Sequence, residues 1–156
     1  MKKTLYLCLF IAMACFASSC EEKDNRGAAP GQVSNIGHQP DFGSIVFEWK
    51  QPADESYYYT DIRYEVDGVE HSKKVTKYKD STTVEGLTSD KPVDFRFYSV
   101  SKTGAYSEPV VYRAAPHAPP FTLVAQSLEM VSDSVGLRGV YVRWKNETGK
   151  KITVEV

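Results

Sequence analysis

Cysteine and histidine are scarce, three of each in 156 residues. Cys8 and Cys15 fall inside an apolar opening stretch, so Cys20 is the only cysteine a processed chain would keep. A single thiol forms no internal disulfide, and the fold cannot rest on cross-links. His38, His71 and His117 are scattered without the short spacings that metal ligands need, and read as loop or surface residues with no metal site. There is no glycine-rich phosphate loop, no nucleophile with a base beside it and no paired carboxylates. The expectation is a non-enzyme without cofactors. Basic tracts are also missing. Lysines and arginines number 19 against 20 acids, and nucleic acid finds no electrostatic footprint. The longest apolar run, residues 4–17, is shorter than the roughly 20 residues a membrane-spanning helix requires.

That run follows Met1, Lys2 and Lys3 and ends in small residues. A positive start, a short apolar core and a small-residue exit describe a secretory signal, here residues 1–19. The exit, Ala17, Ser18, Ser19 and Cys20, resembles the lipobox of bacterial lipoproteins, although leucine usually stands where this chain has Ala17. The resemblance implies that Cys20 receives a diacylglycerol, that cleavage occurs just before it, and that the new amine is acylated. The membrane would then be a partner through the N-terminal lipid. Residues 20–29 read as an acidic flexible tether. Within it, Glu21, Glu22 and Asp24 around Lys23 resemble the export signal of Bacteroidota lipoproteins, which implies the outward face of the outer membrane. A solvated tether of the same composition is the plainer alternative. Without residues 1–19 the chain has 17 basic and 20 acidic residues, a net charge of −3.

The body of the chain is rich in Tyr, Val, Thr, Ser and Phe, with Gly and Pro at regular intervals, the composition of an all-β protein. Ile45, Phe47 and Trp49 share one face of a strand, and Val46, Glu48 and Lys50 the other. In the next strand, Tyr58, Thr60, Ile62, Tyr64 and Val66 alternate with Tyr57, Tyr59, Asp61, Arg63 and Glu65. The first set is expected to be buried and the second wet. Asp67 and Gly68 make a tight hairpin turn. The lysine-rich strand after it suits a sheet edge. A short strand around Val84 follows. Val93, Phe95, Phe97 and Ser99 then alternate with Asp94, Arg96 and Tyr98, and the last strand, VVYRA, precedes the proline-rich APHAPP.

This succession of short strands with an early buried tryptophan forms an immunoglobulin-like sandwich pattern. From Pro30 to about Ala115 the chain resembles fibronectin type III domains. The resemblance rests on Trp49, the strand holding Tyr64 and Val66, Leu87, and the run FYSVSKTGAYSEP with Gly104 in its turn. One departure is Val93, where the family usually places a tyrosine six residues after the leucine. More closely, the segment is similar to the fibronectin-III-like N-terminal domain of unknown function of Bacteroidota surface lipoproteins. Those proteins typically continue into a second sandwich and a discoidin-like carbohydrate-binding domain, often encoded near glycan-uptake machinery.

Residues 30–116 are thus one sandwich and residues 117–120 a proline-rich linker. SIVFEWKQ matches GVYVRWKN, with Val140, Val142 and Trp144 in the places of Ile45, Phe47 and Trp49. Residues 121–156 therefore read as a partial second β-sandwich of about three strands. A truncated product, docking on the first domain, and strands supplied by a partner are the three ways to explain it.

Few functional residues stand out. Tyr57 and Tyr59, taken as wet-facing, are the candidate ligand-binding pair, because a tyrosine offers an apolar face and a polar tip to a sugar ring or a protein. Packing across strands is the plainer alternative. Asp61, Glu65 and Glu70 with Arg63 read as a solvated strand face. DST at Asp80 and DSV at Asp133 resemble the O-glycosylation acceptor of Bacteroidota. The expectation is a non-enzymatic, lipid-anchored surface protein that binds or adapts in glycan capture, with a glycan or an outer-membrane protein as partner. The alternative is a structural spacer for a missing carbohydrate-binding domain, with no ligand of its own.

Overall fold

The computed structural model describes residues 27–130 and 142–153. Cys20, the signal of residues 1–19, most of the tether, Val140 and the DSV motif at Asp133 lie outside the described residues.

Seven strands come first: β1 (Ser34–Asp41), β2 (Ser44–Lys50), β3 (Tyr57–Val66), β4 (Val69–Thr76), β5 (Ser81–Glu85), β6 (Val93–Ser101) and β7 (Val110–Ala114). They form two antiparallel sheets, ordered β1-β2-β5 and β4-β3-β6-β7. This is an immunoglobulin-like, fibronectin type III β-sandwich. The two-residue period of β2 sends Ile45, Phe47 and Trp49 inward, and all three are buried. From the opposite sheet come Ile62 and Tyr64 of β3 and Phe95 and Phe97 of β6. Phe47 is the hub. Its ring meets Phe95 at 4.7 Å, Phe97 at 5.4 Å and Tyr112 at 6.2 Å, all edge-on, as ring quadrupoles prefer.

The turns follow their residues. Asp67 and Gly68 both have positive φ, 52° and 78°, the pair of conformations a two-residue hairpin with right-handed twist demands. Edge strand β4 is exposed except at Val75 and is rich in lysine, which discourages pairing with another chain. At the end where Val93 replaces the family's tyrosine, Leu87 N–H donates to Gly43 O at 3.0 Å, which carries the β2–β5 pairing one step past Ser44 and Glu85.

Three expectations are corrected. The inward order at the start of β3 is displaced by one residue. Tyr57 pairs with Ser101 and Tyr59 with Val100, so Tyr58 is an extra residue opposite a single step of β6. Below this bulge the alternation holds, with Thr60, Ile62 and Tyr64 buried. Above it the sides change: Tyr57 is 3% exposed and Tyr58 50%. Tyr57 is therefore no wet-facing residue.

The second correction concerns residues 117–120. They are no free linker, since Gly43 N–H donates to His117 O (3.1 Å) and His117 N–H to Asp41 O (3.0 Å). The third is FTLVAQ, which opens the segment 121–156 read as about three strands and is found as helix α1 (Pro120–Gln126). Pro119 is extended and Pro120 stands in the first turn, where proline loses no helical hydrogen bond. Beyond α1, a two-residue ladder pairs β8 (Glu129–Met130) with β9 (Val142–Arg143). Val142 and Trp144 are exposed, at 42% and 43%, and do not form the inner face their match to Phe47 and Trp49 suggested.

Candidate functional site

The outer face of the four-stranded sheet gathers the polar and aromatic groups. On β3, Tyr59, Asp61 and Arg63 point outward. Across β4 they face Thr76, Lys74 and Ser72, and across β6 Val100, Tyr98 and Arg96. The turn after β6 folds back, with Val100 bridged to Tyr106, and lays the Tyr106 ring over this face.

Arg63 is its centre. The guanidinium carbon stands 5.1 Å from the ring centroids of both Tyr98 and Tyr106. Those rings meet each other edge-on at 5.9 Å. Such cation–π contacts hold a guanidinium flat and leave its edge for hydrogen bonds. Arg63 Nε donates to Asp61 Oδ2 at 3.0 Å, and Ser72 Oγ to Asp61 Oδ1 at 2.6 Å. The Asp61 hydrogen bond holds the Arg63 pKa above its ordinary value, against the opposing effect of burial. Asp61, read from the sequence as solvated, does lie on the outer face. It is only 1% exposed because Arg63 and its neighbours roof it over. A carboxylate so buried needs both partners.

Tyr59 is half-buried on the same face. Its hydroxyl lies 3.4 Å from that of Tyr106, and Lys74 Nζ is 5.6 Å from its ring. Burial first, and the Tyr106 hydroxyl second, push the Tyr59 phenol up to about 12. Tyr57, the other half of the sequence-derived pair, is on the inside, 2.7 Å from Thr60 Oγ1. The two tyrosines therefore do not share a surface. Period-two reading put Tyr98 on the outer side of its strand without joining it to a site, and it missed Tyr106, because nothing in the linear order signals that the turn after β6 brings Tyr106 back over β3.

Asp61, Arg63, Glu70, His71, Ser72, Lys74 and Tyr106 line a shallow depression of about 200 Å3. A second, of about 490 Å3, lies beyond it on the same sheet against Glu65, Asp94, Arg96 and Val111. The ion pair of Arg96 Nη2 with Glu70 Oε1, 2.8 Å, joins the two. Both are open; the smaller is mainly polar and suits hydroxyl-rich or charged groups, while the larger mixes Glu65, Asp94 and Arg96 with Pro92, Val93 and Val111.

The three histidines are dispersed. His38 Nδ1 contacts Tyr112 Oη at 3.0 Å, His71 stacks on Tyr64 and His117 packs on Phe42. Among the described residues no group of three or more His, Cys, Asp or Glu side chains could hold a metal ion.

Comparison with solved structures places the sandwich among fibronectin type III domains. The domain of the human collagen alpha-1(XX) chain is 18% identical, with 60% of this chain and 90% of that chain covered, at a TM-score of 0.52. That of human contactin 1 is 16% identical, covering 66% and 93%, also at 0.52. The FN1–FN3 fragment of chicken CNTN1 is 17% identical, covering 56% and 32%, at 0.51. At these identities the likeness is one of fold. No curated protein matches the chain. The model of one family, described as a domain of unknown function, DUF4959, matches residues 30–116. With more than half of its length matched and that segment folded as a fibronectin type III-like sandwich, the chain belongs to the DUF4959 family.

Proposed function

We propose that this is a non-enzymatic, lipid-anchored surface protein whose sandwich is a binding or adaptor module in glycan capture. The observation that carries the reading is the outer face of the four-stranded sheet. There Arg63, packed against Tyr98 and Tyr106 and over the buried Asp61, stands with Ser72 and Lys74 around a solvent-open depression. A planar fork of donors, an ammonium, a hydroxyl and aromatic edges are the groups that hydrogen-bond and cover sugar hydroxyls, with Asp61 fixing the fork from beneath. The anchor rests on Cys20 and its lipobox-like setting. Placement on the outer face of the outer membrane rests on the acidic residues behind it.

A second reading has its own support. Arg63 already packs against both rings and pairs with Asp61, so the face is largely satisfied without a ligand, as a stiff spacer would require. A glycan array probed with the processed chain separates the two. Hits are then titrated calorimetrically against wild type and Arg63→Ala. Glycan capture predicts binding that weakens by about tenfold or more in the variant, the scale of a lost charge-assisted hydrogen bond. No binding across the array, with an unchanged thermal melt, leaves the spacer in its place.

A further inference from the structure

The turn between β4 and β5 bears a lysine–tyrosine–lysine triplet that the glycan face does not use. Tyr78 is 85% exposed, the most exposed large hydrophobic residue described, and Lys77 Nζ lies 5.7 Å from its ring. Lys73 and Lys74 precede it on the edge strand and Lys79 follows, so four lysines fall within seven residues. None of them is in an ion pair among the described residues. Lys50 adds a further charge beside a shallow hollow shared with Lys77, Tyr78 and Asp80.

The location of this turn is informative. Trp49 N–H donates to Asp80 O (2.9 Å) and Gln51 Nε2 to Lys79 O (2.7 Å), which ties the turn to the start of the β2–β3 loop. The same loop holds the start of the described chain, where Gly31 N–H donates to Asp54 Oδ2 at 2.6 Å. Gln32 Nε2 donates to Glu108 O before β7, and Gly27 lies against Thr103. The chain therefore comes in at the end of the sandwich that carries Tyr78. Only six residues separate Cys20 from Gly27, a reach of about 25 Å at full extension.

The geometry points to this end as a membrane-resting tip, with Lys77, Tyr78 and Lys79 seated on an anionic lipid headgroup surface. The inference rests on the proposed lipid anchor at Cys20. Tyrosine places an apolar ring and a polar tip at headgroup depth, and lysines near an anionic surface are attracted to its phosphates. Acids share this end of the sandwich: Asp54, which accepts from Gly31, and Glu55, Asp80 and Glu108. The attraction is therefore local to the β4–β5 turn and not spread over the whole end.

The test is lysine acetylation of the full lipidated chain, read by mass spectrometry. The chain is reconstituted in vesicles of phosphatidylcholine alone or of phosphatidylcholine with phosphatidylglycerol. Lys91, exposed at the opposite end of the sandwich, is the internal reference. Lys77 and Lys79 should be protected several-fold relative to Lys91 in the anionic vesicles. High salt should release them, and so should the triple variant Lys77→Glu, Tyr78→Ser, Lys79→Glu, whose melt should match wild type because all three side chains lie on the surface of a turn. Equal labelling of Lys77, Lys79 and Lys91 in a chain that still floats with the vesicles overturns the tip and leaves the anchor standing. A chain that does not float overturns both. Protection by soluble dextran sulfate but not by anionic vesicles overturns the membrane assignment and gives the turn to an acidic polysaccharide.

Discussion

At the scale of the residue, the sandwich depends on a few rings. Trp49 is 4% exposed and lies 5.8 Å from Phe97, while Phe47 spans the two sheets. Trp49→Ala leaves a cavity that closely packed strands cannot close, and should cost about 3–5 kcal/mol. Against a typical domain stability of about 5–15 kcal/mol, that should move the urea midpoint far down. An unchanged midpoint would place Trp49 outside the core. The tyrosines report burial through pH. Burial raises the phenols of Tyr57 and Tyr64, and that of Tyr59 reaches about 12, from an ordinary 10.0. A phenol raised in the folded state keeps its proton after the unfolded chain has lost it. Its contribution is thus complete below pH 10.0 and disappears as pH rises toward about 12. Denaturant melts should fall across that window, and Tyr59→Phe should flatten part of the fall. An identical slope in wild type and variant would contradict the burial of that hydroxyl. Trp49 was legible in the sequence because its neighbours at two-residue spacing, Phe47 and Ile45, are apolar. Tyr57 was not, because Tyr57, Tyr58 and Tyr59 are chemically alike and only pairing with Val100 and Ser101 shows which is extra.

At the scale of the element, legibility follows how local the cause is. The β3–β4 hairpin could be read from Asp67 and Gly68 because positive φ is a property of those two residues. Helix α1 could not, since seven residues give too few turns for a period, and Phe121, Leu123 and Val124 suit a strand equally well. Polar β1 was equally faint, with SNIGHQPD offering no alternation. The segment after α1 meets the sandwich through Lys150 Nζ, 2.6 Å from Asp41 Oδ2. The Lys150 hydrogen bond is the first cause holding the Asp41 carboxyl below its ordinary 3.8. A depressed carboxylate stabilises above its unfolded pKa and loses that contribution as pH falls through the folded value. Hydrogen exchange around Asn146 to Lys150 should therefore quicken below about pH 3.8, with the Phe95 and Phe97 amides unmoved. In Asp41→Asn the same amides should exchange fast at neutral pH already. Protection unaffected by either change would show that the ion pair does not hold the segment.

At the scale of the whole molecule, seven strands close one core, and the remainder attaches at its far end. Among the described residues, every buried ring of the central cluster lies between Val33 and Ala114, and the two sandwich sheets take no strand from beyond β7. The described residues after Pro120 add one buried side chain, Val124, and a two-residue ladder, while Phe121, Leu128, Val142 and Trp144 are exposed. A core complete without the tail predicts that a chain ending at Pro120 stays folded. It keeps His117, whose two backbone hydrogen bonds finish the β1–β2 turn. Its urea midpoint should stay close to that of the full chain, because hydrophobic stabilisation scales with apolar area buried and the tail buries little. A chain ending at Ala115 would lose the His117 bonds and should melt distinctly lower. The pair of truncations thus separates the contribution of the pinned residue from that of the tail. If the chain ending at Pro120 fails to give a cooperative melt, the tail is part of the domain, and the boundary lies further along the sequence than the core cluster indicates.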